Sequence, residues 1–316
     1  MPDVPLFEDI REAHSRIKKY IHRTPVLTSE SLNNISGTQL YFKCENFQKT
    51  GAFKYRGATN AVLNLSEDNR SFGVATHSSG NHAAALALAA KTNGIKCYVV
   101  MPENAPKVKV DAVKNYGAEI TFCKPGLQYR EETLNKLIAK NKATFIHPYN
   151  FHDVICGQGT AALEFAEDIP DLDVILAPVG GGGLLSGTAI SAKTLNPRIK
   201  IFGAEPANAD DACRSFHSGI LVPSVNPNTI ADGLLTSLGE LTFEIIRRNV
   251  NDIFTVSEAS IIRALKLIWQ RMKIVVEPSS AVPLAVVLEN GHQFQYLKTG
   301  IILSGGNADL SLLPFN

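Results

Sequence analysis

The sequence predicts an α/β protein of two lobes, each a mainly parallel, twisted sheet flanked by helices. Three observations predict it. Short apolar, strand-like runs alternate with segments of helical periodicity, the pattern of sheets covered on both faces. Glycine- or serine-rich turns sit where these strands pass into helices. The 316 residues show no low-complexity linker and no tandem repeat, and they suffice for one large domain or two ordinary ones.

In chain order, "FEDIREAHSRIKKYI" spaces Phe7, Ile10, Ile17 and Ile21 for an N-terminal helix. "TPVLTS" is a turn entering a strand, and "QLYFKCE" is a second strand. "FGVATHSSGNHAAALALAAKTNG" reads as a strand, a Ser/Gly turn and an Ala-rich helix ending near Gly94. "IKCYVVMPENAPKVKVDAVKNYG" repeats that plan, and "AEITFC" begins it again. "LDVILAPVGGGGLLSGTAISAKTLNP" is an apolar strand, a glycine loop and a helix, and "IKIFGAEP" and "GIILSGGN" are further buried strands. Pro283, in "EPSSAVPLAVV", is tolerable in a helix's first turn, which starts that helix near Ser280. The units from about Gly73 to His147 form one lobe inserted in the other. Residues 1–72 and 149–316 then make the larger domain and 73–148 the smaller.

Composition excludes several classes. Hydrophobic residues at 45% and charged residues at 19% describe a folded globular chain. A net charge of +1 gives no electrostatic case for nucleic acid or an anionic membrane surface. The start "MPDVPLFEDIREAH" lacks the layout of a secretory signal, and no apolar run approaches membrane-spanning length. Cys44, Cys97, Cys123, Cys156 and Cys213 are odd in number, scattered and free of CxxC pairs, which argues for a reduced, cytoplasmic compartment.

Four stretches carry chemistry. "KTGAFKYRG" (49–57) sets Lys54 beside Phe53 between Gly51 and Gly57. It reads either as a basic turn with a snorkelling lysine or as a tight apolar loop presenting an amine. "APVGGGGLLSG" places Gly180, Gly181, Gly182 and Gly183 after an apolar strand at a helix start. There, bare backbone N–H groups and the helix's partial positive charge suit a phosphate. "THSSGNH" (76–82) is a second strand-to-helix turn, either a helix cap or a cradle for a carboxylate. "ILSGGN" ends a buried strand at Ser304, whose hydroxyl could bond a ligand or a neighbouring backbone group. A phosphate cradle, a buried lysine, an amide and a strand-end hydroxyl together meet the needs of pyridoxal phosphate.

The sequence resembles the fold-type II pyridoxal-phosphate enzymes (the tryptophan synthase β-like fold), in the serine racemase and serine/threonine dehydratase group. The likeness runs from "RTPVLTS" to "LSGGNADL". It is carried in order by "FQKTGAFKYRGA", "SSGNHAAALA", "GQGTAALE", "PVGGGGLLSG", "AEPANADDA", "TIADGL" and "EPSSAV". The resemblance implies that Lys54 carries the cofactor as a Schiff base and Phe53 packs on its ring. It implies that Asn81 meets the ring hydroxyl, Gly180 to Gly183 hold the phosphate, Gly233 lines the pocket and Ser304 bonds the ring nitrogen. Ser78, Ser79, Gly80, Asn81 and His82 are implied to hold the substrate carboxylate, with Arg130 facing the entrance and the smaller domain gating the substrate.

The implied activity is interconversion of L- and D-serine with β-elimination to pyruvate and ammonia. The alternative is a dehydratase for threonine, serine or threo-3-hydroxyaspartate with little racemisation. A neutral Ser304 makes the ring a weaker electron sink, which favours quick reprotonation or quick loss of a β-leaving group. Ser79 is the implied proton carrier on the face opposite Lys54. Many dedicated threonine dehydratases have alanine there, while related hydroxyaspartate dehydratases share the serine. Glu205, the Ala209 carbonyl and Asp211 match a hard-cation site for Mg²⁺, Ca²⁺ or Mn²⁺. Lys49, Thr50, Tyr116, Lys273 and Asn307 match positions of an intersubunit ATP site in animal members of the group. Glu30 and Ala84 depart from that site, and a carboxylate near a polyphosphate speaks against ATP activation. A homodimer is the group's expected assembly.

Overall fold

The computed structural model describes residues 4–78 and 80–309. Among them the strands are β1 (Val26–Thr28), β2 (Gln39–Cys44), β3 (Val74–His77), β4 (Cys97–Pro102), β5 (Glu119–Cys123), β6 (Thr144–Phe145), β7 (Val174–Pro178), β8 (Lys200–Pro206), β9 (Asp252–Val256) and β10 (Lys298–Leu303). They form a six-stranded sheet in the order β1-β2-β10-β7-β8-β9 and a four-stranded sheet in the order β5-β4-β3-β6. Only β1 runs antiparallel, pairing Leu27 with Phe42 of β2; every other pairing is parallel. β7 is buried at all five positions, as a strand covered on both faces must be.

Parallel strands point their carboxyl ends the same way, and ligands bind at such ends in α/β sheets. β7 ends just before Gly180, β10 just before Ser304, β3 just before Ser78 and β8 just before the 207–211 segment. The sequence patterns that carry chemistry therefore sit at strand ends.

Two elements differ from expectation. Lys54 does not lie in a loop: it is the first residue of the helix Lys54–Leu63. Gly57 is helical and serves close packing. A Cβ there would lie 2.6 Å from the Val154 carbonyl, and one on Gly157 would lie 2.5 Å from Gly57 Cα. The helix Lys54–Leu63 thus presses backbone to backbone on the helix His152–Asp168. On its other side, a Cβ at Gly187 of the helix Gly183–Leu195 would lie 2.5 Å from Gly159 N.

The second difference concerns Pro283. The helix starts at Pro278, not near Ser280, and Pro283 lies inside it. Pro278 takes the favoured first-turn position, where its missing N–H costs nothing. Ser280 is already committed: its hydroxyl donates to the Gly305 carbonyl and accepts from the Gly305 N–H, both at 2.7 Å. That contact fixes the helix register against the end of β10 and leaves Pro283 in the interior.

Lys43 in β2 belongs to a buried charge cluster. It donates to Glu164 at 2.8 Å, and Arg56 donates to Glu45 at 2.7 Å and to Glu164 at 2.8 Å. Two cations balance two carboxylates, so the charges are paired where water cannot reach them. All five cysteines are free thiols. Among the described residues no helix is long and apolar enough to cross a membrane.

Candidate active site

The Phe53 N–H donates to the Ser304 carbonyl at 2.9 Å, which docks the start of the Lys54 helix on the end of β10. Lys54 Nζ donates to the Pro148 carbonyl at 2.9 Å and lies 5.1 Å from the centre of the Phe53 ring. Burial pulls the amine down to about 8, with the Glu277 carboxylate opposing. The helix start adds its own unfavourable partial charge to the ammonium. The result is an amine that gives up its proton far more readily than an ordinary lysine, with about a tenth already free base at pH 7.

The glycine loop faces this amine's neighbourhood from β7. Gly182 has φ +86°, open to glycine at little cost, and it starts the helix Gly183–Leu195 without a side-chain cap. The first-turn N–H groups therefore receive no side-chain partner at the helix start, the condition for binding an anion. The loop is braced from behind. A Cβ on Gly181 would lie 2.3 Å from the Tyr149 ring, and one on Gly180 would lie 3.0 Å from Leu234 Cα. Gly233 donates its N–H to Ser279 Oγ at 3.1 Å beside that contact. Ser304 is buried, and its Oγ lies 3.0 Å from Ser280 Oγ.

In the other sheet's lobe, β3 leads to Ser78, and Gly80 precedes the helix Asn81–Thr92. Gly80 donates its N–H to Ser78 Oγ at 3.3 Å, and a Cβ on Gly80 would meet nothing within 4 Å, so open space lies in front of it. Asn81 donates to both Glu277 oxygens at 3.0 and 3.1 Å and accepts from Asn307 Nδ2 at 2.9 Å. Burial pushes Glu277 up to about 7, against the Asn81 hydrogen bond. The His82 side chain turns inward: Nε2 bonds the Ile146 carbonyl at 3.2 Å. Burial, then Lys54, hold it well below the ordinary histidine range. Its Nδ1 is buried without a hydrogen-bond partner, and its backbone lies in the helix's first turn. The expectation for Ser79 lies outside the described residues.

Sequence reasoning missed the turn 147–150. His147 Nδ1 accepts the N–H groups of Tyr149 at 3.3 Å and Asn150 at 3.0 Å, which fixes the proton on Nε2. The Tyr149 ring stands edge-on to His147 at 4.6 Å. Burial and then the charges of His77 and Lys54 bring His147 down to about 4. Arg130 lies on the helix Leu127–Asn141, and its charge lowers His77 and acts on Tyr149. Nothing in the local pattern of "FIHPYNF" marks it as a site segment; its role comes from position alone.

Glu205, near the end of β8, and Asp211, just beyond it, are both buried. Glu205 accepts the N–H groups of Ala212 at 3.0 Å and Cys213 at 2.9 Å. Burial pushes Glu205 up to about 9 and Asp211 up to about 6. Neither Asp211 oxygen has a well-formed hydrogen bond, although Ser224 and Arg214 act on it favourably. Asp211, a buried carboxylate with both oxygens unpartnered, close in sequence to the buried Glu205, fits a hard cation. Of the five nucleotide-matching positions, the structure joins two: Asn307 Nδ2 donates to the Thr50 carbonyl at 2.7 Å. Lys49 lies over the Tyr55 ring; Tyr116 and Lys273 make no hydrogen bond with these residues.

The sequence profile described as "Pyridoxal-phosphate dependent enzyme" matches residues 17–305. The chain belongs to that family. It is 54% identical over 308 residues to a serine racemase of Dictyostelium discoideum, covering 96% of this chain and 95% of the relative. It is 51% identical over 313 residues to a β-hydroxyaspartate dehydratase of Paracoccus denitrificans, covering 99% of each. Among solved structures, that of maize serine racemase superposes with a TM-score of 0.96 at 45% identity, covering 98% of this chain and 96% of the other. The uncapped glycine loop and the buried Lys54 amine fit the family's cofactor, and the two-sheet fold is that of its fold-type II members.

Proposed function

We propose that this pyridoxal-phosphate enzyme interconverts L- and D-serine and, alongside, eliminates water from serine to give pyruvate and ammonia. One observation carries the reading: the helix that begins with Lys54, whose amine burial lowers to about 8, is docked through the Phe53 N–H on the carbonyl of Ser304, a residue with a neutral hydroxyl. When bound, pyridoxal phosphate supplies the electron sink that acidifies the substrate Cα proton. A neutral partner at its ring nitrogen keeps that sink weak, so the proton returns quickly or a β-substituent leaves quickly.

In this reading Gly180 to Gly183 hold the phosphate, Phe53 and Gly233 line the pocket, and Asn81 meets the ring hydroxyl. Ser78, Ser79, Gly80, Asn81 and the His82 backbone hold the substrate carboxylate. Lys54 moves the proton on one face of Cα and Ser79 on the other. Glu205, Asp211 and the Ala209 carbonyl bind Mg²⁺, Ca²⁺ or Mn²⁺, which braces the segment after β8. Residues 73–148 form the substrate-gating domain, inserted between 1–72 and 149–316. A cytoplasmic homodimer completes the reading. No ATP site is proposed, because Glu30 sets a carboxylate among the matching positions.

Arg130 favours a second reading. A guanidinium whose charge acts on His77 and Tyr149, with no carboxylate partner among the described residues, suits a substrate with a second carboxylate. That reading is a threo-3-hydroxyaspartate dehydratase; the Paracoccus relative is named a dehydratase of β-hydroxyaspartate. Incubation with L-serine and, separately, with threo-3-hydroxyaspartate decides between them. D-serine formed at a rate comparable to pyruvate supports the first; rapid oxaloacetate release with no D-serine selects the second.

A further inference from the structure

We propose that Asn150 is a positioning residue: by capping a distant helix it holds the lysine's hydrogen-bond partner and the phosphate cradle in one frame. The inference rests on the reading of Lys54 as the cofactor's residue.

The helix Glu240–Asn249 begins after Gly239, which has no side chain to cap it. The missing acceptor comes from elsewhere in the chain. Asn150 Oδ1 accepts the N–H groups of Leu241 at 3.0 Å and Thr242 at 3.4 Å, the second and third positions of that helix. These are the groups an N-cap side chain ordinarily satisfies. The exchange is also steric: a Cβ on Gly239 would lie 2.2 Å from Asn150 Cγ. Glycine at 239 and asparagine at 150 thus share one volume.

Both ends of this contact reach the site. The Thr242 hydroxyl donates to the Gly181 carbonyl at 2.9 Å, so the capped helix start carries the glycine loop. On the other side the Asn150 N–H donates to His147 Nδ1 at 3.0 Å, closing the turn that contains Pro148. The Pro148 carbonyl accepts from Lys54 Nζ at 2.9 Å. Hydrogen bonds joined by short stretches of chain therefore connect the phosphate cradle through Asn150 to the amine. Asn150 touches neither cofactor nor substrate in this scheme and acts through Pro148 and Gly181.

The test uses the holoenzyme, and pyridoxal phosphate added back to cofactor-stripped protein. Asn150→Asp keeps the acceptor, and its charge is welcome at a helix start. Asn150→Leu keeps the volume and loses the acceptor. The aspartate variant is expected within about threefold of wild type in cofactor dissociation constant and kcat. The leucine variant is expected to weaken cofactor binding and lower kcat by about tenfold each, the scale of a lost cap, with KM changed less. If the leucine variant does not fold, Asn150→Ser, too short to reach the helix, is read in its place. A leucine or serine variant equal to wild type overturns the inference, as does an aspartate variant that fails equally. Borohydride reduction and peptide mapping of the wild type keep the two readings apart. A label away from Lys54 sinks the lysine reading, while the contrast in cofactor affinity still judges the hold of Asn150 on the cradle.

Discussion

Lys109 forms an ion pair with Asp232 that joins the helix Lys107–Asn115, between β4 and β5, to the turn beside Gly233. Two other links between the sheets, Asn81 to Glu277 and Lys54 to Pro148, use groups assigned to the cofactor or to the lysine that carries it. This one uses neither. It can therefore hold the smaller sheet toward the glycine loop while the cofactor is in place. Lys109→Glu alone is expected to raise KM for serine by about two- to fivefold, the range of a partly exposed pair. The double reversal with Asp232→Lys should restore it, and about 0.5 M salt should narrow the difference. A single mutant with unchanged KM at low salt would sink the assignment.

Lys54→Ala should abolish turnover while leaving the protein folded. The wild type should be yellow, and borohydride should fix the cofactor on a peptide containing Lys54. Activity surviving in the alanine variant, measured as D-serine plus pyruvate, would contradict the role given to the amine.

Ser79→Ala tests the second proton carrier. Loss of a general acid–base group costs about 10²–10⁴-fold, and racemisation in both directions should fall by that order. Elimination from L-serine should fall less, because Lys54 still serves its own face. Elimination from D-serine should fall with racemisation. Uniform loss across the three rates would point to substrate binding instead.

The segment after β8 should bind a divalent cation. Chelation is expected to lower the Tm by several degrees and Mg²⁺, Ca²⁺ or Mn²⁺ to restore it, with Asp211→Asn insensitive to both. A chelated wild type with unchanged Tm, and no metal by elemental analysis, would leave Glu205 and Asp211 as a buried acidic turn.

Acid should destabilise the fold through its neutral histidines. Burial, then Arg130, hold His77 down to about 4; burial, then His77 and Lys54, do the same for His147. The unfolded groups titrate near 6.5, so between about pH 4 and 6.5 the unfolded chain binds more protons. Stability from these groups is whole above 6.5 and drains as pH falls through that window, by up to about 1.4 kcal/mol per pH unit for each. His147→Asn, which keeps an acceptor for the turn, should flatten the curve. Urea unfolding at pH 7.5, 6 and 5 checks it; an unchanged slope refutes the contribution of His147.

The parallel α/β architecture was legible in the sequence because its strands are buried on both faces. Runs such as VILAP and GIILSG cannot be read as exposed segments. The antiparallel direction of β1 was not legible: three residues carry no signal of which way their partner runs. Nor was β9, whose partly buried DIFTV is short and lacks a glycine turn. Gly57 misled because a glycine needed for helix contact looks, in sequence, like one needed for a loop. Asn81, Gly180 and Ser304 were singled out because their motifs combine chemistry with strand ends, and Phe53 and Lys54 because an aromatic and a cation sit together between glycines. Glu277, His147 and Asn150 were not singled out, since each acts through a partner far along the chain.

The glycine crossings of the helix His152–Asp168 bear on how such a protein can change. Gly157 rests on the lysine's helix and Gly159 on the helix that begins the phosphate cradle, each through main-chain atoms. The span from amine to phosphate is therefore gauged by backbone thickness, which no exchange of surrounding side chains resets. Residues proposed to face the substrate, Arg130 and Ser78 among them, belong to the elements of the other sheet. Substitution can retune which amino acid is accepted there while the reaction's ruler stays fixed, and a single added methyl at Gly157 would shift the ruler itself.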